Sequence, residues 1–147
     1  MEFLLLKSHS ILRYVILVLL LWSLFTAWSG WRGRRLYKPL HGKLHNITRL
    51  LLLLQMLLGL TLYYLLGFYK LFGHLREASD QVGFFAVAHV SMMLIAIICI
   101  NAGYTIAMKA STDKWKFRRV AIFYTIGSFI IFMAIPWPFM HGWATWI

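Results

Sequence analysis

The sequence predicts an all-α protein, a four-helix transmembrane bundle of up-down-up-down topology, and three observations predict it. Of 147 residues, 61% are hydrophobic and only 13% charged, too few charges to cover the surface of a soluble domain, which is normally about a quarter charged. Mean hydropathy is +0.73. The apolar residues also fall into four long runs, not into spacings that leave one wet helix face. One integral membrane domain over 1–147 is expected, because spans and short connections use the whole length.

A membrane crossing needs about 20 apolar residues for roughly 30 Å of hydrocarbon. The first span is expected at about 10–31, with Arg13 its only full charge, and is too long for the apolar part of a cleavable signal. The second is expected at about 47–69, with Arg49 near its start, the third at about 82–108 and the fourth at about 120–137. Pro136 and Pro138 in IPWPF end the last helix, since neither can donate to the helical ladder. Short connections favour antiparallel neighbours.

Most of the 15 Lys and Arg residues sit in two connections, Arg32 to Arg49 and Lys109 to Arg119, the second with one acid, Asp113. In this setting they are read as topology signals rather than as a nucleic-acid surface. The connection near Gly73 balances Lys70 and Arg76 with Glu77 and Asp80. The positive-inside rule then puts both basic connections in the cytoplasm and both termini outside. Trp28 and Trp31 mark the inner interface, and Tyr69, Trp137 and Trp143 the outer one.

Cys99 is the single cysteine and lies in an apolar run, so neither a disulfide framework nor a thiolate cluster is expected. The chemistry falls to the histidines: His9, His41, His45, His74, His89 and His141. Counting outward from the inner ends of the first and third helices brings His9 and His89 to similar depth near the outer boundary. Two such imidazoles facing each other across a bundle form a cradle for a six-coordinate b-type haem, whose iron both would ligate. Met93 lies one turn from His89 on the same face. Ala86, Ala96 and Gly103 leave room for close helix packing or for a flat ring, and Gly59 lets a macrocycle approach the second helix. Arg13, one turn inward from His9, fits a haem propionate, against the plainer reading of a snorkelling anchor. Gln55 suits either an interhelical hydrogen bond or a contact to a haem edge or quinone carbonyl.

His41 and His45 share a helix face at four-residue spacing, which suits zinc only with a further ligand. Contact with anionic lipid headgroups is the preferred reading of that pair. His74 and His141 default to the surface, His141 being an alternative outer ligand. Asp80 is a favourable charge at a helix start.

Five segments carry a resemblance along nearly the whole chain: HSILRY (His9 to Tyr14), QMLLGLTLYY (Gln55 to Tyr64), AHVSMM (Ala88 to Met93), KWKFRRVAIFY (Lys114 to Tyr124) and IPWPF (Ile135 to Phe139). In these it resembles small four-span bacterial membrane proteins of the cytochrome B type. The central part is also similar to one half of haem A synthase, in which two histidines bind a b-type haem. By motif those histidines map onto His9 and His89. This chain has one such half and lacks the synthase's second site and acidic catalytic residue, so the resemblance implies haem binding and not haem A synthesis. The functional expectation is a b-type cytochrome or electron-transfer subunit of the bacterial cytoplasmic membrane, linked to quinol or a partner subunit. Its rival is a haem-free scaffold or small subunit of a larger membrane complex. A small transporter is disfavoured, because the spans show neither mid-depth breaks nor an inverted repeat.

Overall fold

The computed structural model describes residues 2–73 and 79–139. Four helices form the bundle: α1 Glu2–Arg32, α2 Pro39–Leu65, α3 Asp80–Met108 and α4 Asp113–Ala134. Each is long and apolar enough to cross a membrane. At 1.5 Å per residue even α4 reaches about 33 Å, the thickness of a hydrocarbon core. The architecture is that of a multi-pass membrane protein. Its outer faces agree, with Leu21, Phe25, Ile98 and Phe129 each about two-thirds exposed or more.

The helices extend into the basic segments, beyond the apolar runs. Lys and Arg are good helix formers, so charge ends a span without ending a helix. Pro39 opens α2, its fixed φ suited to a first turn whose N–H would be unpaired anyway. His41 Nδ1 accepts from the Lys38 N–H at 3.0 Å and closes that turn. Thr112 caps α4, its hydroxyl accepting from the Trp115 N–H. At the other end α2 stops before Gly67, whose φ of +73° suits a residue without a side chain.

Cross-helix contacts fix the antiparallel order. Ser23 and Thr48 hydroxyls meet at 2.9 Å between α1 and α2. Arg49 donates to Asn101 at 3.1 Å between α2 and α3. Cys99 Sγ lies 3.6 Å from the Phe123 carbonyl between α3 and α4, and Trp28 Nε1 donates to Thr125 at 3.0 Å to close α1 on α4. The tightest seam joins α3 to α4, where a Cβ at Gly103 would fall inside the Phe123 side chain. Fully buried Ala96, Ile100, Val120, Ala121 and Tyr124 fill the centre.

One irregularity was not anticipated. From Phe84 to His89, α3 widens into a π-helical turn. Such turns place an extra residue in the helix and recur beside functional sites. Here the turn ends on His89.

Candidate functional site

His9 projects from α1 and His89 from the π-helical turn of α3, and their ring centres stand 6.4 Å apart with planes crossed at 68°. Each imidazole has its own mooring. Gln55 and Gly59, one turn apart on α2, hold the His9 side. Gln55 Nε2 donates to the His9 carbonyl at 2.7 Å. A Cβ at Gly59 would stand 3.1 Å from His9 Cε1, so glycine gives the ring its seat.

His89 Nδ1 meets the Ala134 carbonyl oxygen at 2.8 Å. A carbonyl only accepts, so Nδ1 carries the proton and Nε2 keeps its lone pair, the arrangement of a metal-ligating histidine. The sequence explains why that carbonyl is available. Ala134 is the last residue of α4, and its helical partner would be the N–H of residue 138, which is a proline without one. IPWPF thus ends the helix and frees an acceptor for His89. Tyr63 donates to the Ala86 carbonyl at 3.1 Å, satisfying a group inside the π-helical turn, and the Phe85 ring packs 5.7 Å from the His89 ring.

Both imidazoles line a cavity of about 400 Å³, together with Arg13, Gln55, Gly59 and Met93. Its other walls are chiefly apolar, among them Ile16, Leu52, Ile97 and Ile131. The size is that of a pocket for a cofactor or small molecule. Arg13 donates to the Tyr14 hydroxyl at 3.0 Å and lies over that ring. Two buried polar atoms here have no hydrogen-bond partner, His9 Nδ1 and Gln55 Oε1. Buried polar atoms are ordinarily paired, since each orphan costs about 1–3 kcal/mol. Both belong to residues that line the one cavity.

The opposite, basic end of the bundle holds His45, and there the headgroup reading is overturned. His45 is 0% exposed. Its Nδ1 bonds the Tyr37 hydroxyl at 2.8 Å and its Nε2 the Thr26 hydroxyl at 3.3 Å. Tyr124 donates to its carbonyl at 2.7 Å. With both ring nitrogens engaged, His45 is a structural hub. Burial pushes the Tyr37 hydroxyl above the usual tyrosine range, so it stays neutral within this network. His41 packs its ring 5.0 Å from Phe117. Among the described residues, no group of three or more His, Cys, Asp or Glu is placed to hold a metal ion. His74, His141, Arg76, Glu77 and Trp143 lie outside the described residues. Trp137, expected at an interface, is 9% exposed and donates to the Phe132 carbonyl.

Ala86, Ala96 and Gly103 line no part of the cavity. They are buried helix contacts: Ala86 at 1% exposure, Ala96 at 0% and Gly103 under Phe123. Among the walls that the sequence did not single out are Tyr63, Phe85, and Ile131 and Ile135 of the α4 end. Tyr63 was detectable in principle, because a tyrosine well inside an apolar run needs a partner for its hydroxyl. Comparison with protein-family models, curated proteins and solved structures gives no match to this chain.

Proposed function

We propose that this chain is a membrane b-type cytochrome, or an electron-transfer subunit of one, with a haem held between His9 and His89. The observation that carries this reading is the spacing of the two rings. A metal–imidazole bond is about 2 Å, so a metal held end-on between two imidazoles leaves their centres about 6 Å apart. Here the separation is 6.4 Å. Two imidazoles alone fall short of the four ligands of a protein-only centre, and no third ligand is grouped with them among the described residues. A haem would need only two ligands from the protein, and His9 and His89 would supply them.

When bound, such a group supplies one-electron redox chemistry. The chain's own residues do the holding. His89 presents Nε2 because Nδ1–H is tied to Ala134. Gln55 fixes the α1 backbone at His9. The apolar walls exclude water, and Arg13 lies at the cavity, where its guanidinium suits a propionate carboxylate. The basic connections are assigned to the cytoplasm of a bacterial inner membrane, facing anionic lipid, with both termini and the haem at the outer side. Electrons would be exchanged with a membrane quinol and with an acceptor at the outer surface or in a partner subunit.

The test is an absorption spectrum of the purified chain before and after dithionite. A b-type α band is expected in the native protein and is expected to disappear in His89→Ala. A colourless native protein would withdraw the proposal and leave the haem-free scaffold in its place.

A further inference from the structure

The basic end of the bundle carries a second constellation, remote from the cavity in chain position and in chemistry. The Arg32 guanidinium lies 5.1 Å from the Trp28 ring centre. Trp28 and Trp31 stand 5.0 Å apart. Arg118 lies 5.6 Å from Trp31 and 4.6 Å from Trp115. Cations and aromatics thus form a continuous series of contacts from the last turn of α1 to the first turns of α4.

Stacking on an indole uses the face of a guanidinium and leaves its N–H edge to find acceptors. Arg118 Nε is buried without a hydrogen-bond partner. The nearby acid, Asp113, is paired with Lys116 at 3.6 Å. Beside Trp28 runs a groove of about 300 Å³, lined by Leu24, Phe25, Trp28, Ser29 and Arg32. Its apolar stretch lies on a membrane-crossing helix, where Phe25 is 72% exposed, and its basic end is Arg32. The Trp28 wall is fixed by its bond to Thr125.

We infer that this is a binding site for an anionic phospholipid, with the phosphate on the N–H edge of Arg32 at the basic end of the groove, an acyl chain along the groove, and Arg118, held on Trp31, adding positive charge to the same face. Charge complementarity selects the headgroup, because planar cations with no carboxylate partner among the described residues match phosphate oxygens. Position selects a lipid, since the groove lies on a bilayer-facing surface. The inference rests on the membrane placement of the chain and is independent of the haem. It also moves the headgroup contact from His45, which is fully buried, to arginine.

Native mass spectrometry of the full chain, titrated with phosphatidylglycerol and with phosphatidylcholine of identical acyl chains, tests it. The native protein is expected to retain phosphatidylglycerol preferentially. The double variant R32Q/R118Q is expected to lose that preference by roughly tenfold or more, as removal of two cations near an anionic surface implies. R32K/R118K keeps the charge and loses the flat stacked fork, so an intermediate loss is expected. Equal retention of both lipids by the native protein overturns the site, as does an undiminished preference in R32Q/R118Q. Inorganic phosphate at millimolar concentration should not displace the lipid; displacement would assign the arginines to a soluble phosphate and overturn the lipid. Because the native titration needs no variant to fold, the outcome stands even where R32Q/R118Q is poorly expressed.

Discussion

The two ends of this bundle each bury histidine, and they treat it in opposite ways. At the basic end His45 is enclosed completely, with Tyr37 and Thr26 on its two ring nitrogens. At the other end His9 and His89 meet edge-on in the wall of a cavity, and His9 Nδ1 lacks a partner. A hydrogen-bonded imidazole in a filled interior is a packing element. An imidazole in a cavity wall, with a ring nitrogen left unpaired, has a nitrogen available to a ligand. The protein spends polar contacts on filling one end and on aiming side chains at the other.

That contrast makes predictions that separate the ends. The largest effect is expected from His9→Ala and His89→Ala, each of which should abolish the b-type spectrum while leaving the chain helical and monodisperse in detergent. Circular dichroism and gel filtration check the fold, and absorbance checks the site. His45→Ala should do the reverse. It strands the Tyr37 and Thr26 hydroxyls and opens a void in a packed region, for a loss of about 2–4 kcal/mol. Thermal unfolding in detergent should show that loss, with the α band of the surviving folded protein unshifted.

Smaller changes sharpen the same division. Gly59→Ala places a methyl 3.1 Å from His9 Cε1, so the ring must give way. A shifted Soret maximum at nearly native thermal stability is expected. Gln55→Leu removes the bond to the His9 carbonyl, an interhelical contact worth about 1 kcal/mol in a membrane protein. A severalfold faster loss of haem to an external acceptor such as apomyoglobin is expected.

The fold was legible because membrane spans are written in long apolar runs and topology in the position of Lys and Arg. Helix bounds were less so, since Lys43 and Lys116 lie beyond the apolar pattern and yet inside α2 and α4. The six residues around the cavity were found by depth and helical spacing, which survive into three dimensions when helices are nearly antiparallel. His45 was misread for a physical reason. Its spacing from His41 and its basic neighbours give the pattern of a headgroup-facing helix, while Tyr124, which buries it, is 79 positions away. The π-helical turn had no local signature, and without it the aim of His89 was not determined by counting. The use of the Ala134 carbonyl was encoded in Pro138, but only the position of His89 gives that proline its meaning.

The central claim is that one iron is held end-on by His9 and His89. Electron paramagnetic resonance of the oxidised, purified protein addresses it most directly, because the signal reports axial ligands and the angle between their planes. With rings crossed at 68°, a low-spin ferric signal of the strongly anisotropic kind given by steeply crossed imidazoles is expected, replaced by high-spin iron or none in His9→Ala. A high-spin signal in the native protein, or a low-spin signal untouched by loss of either histidine, would contradict the account.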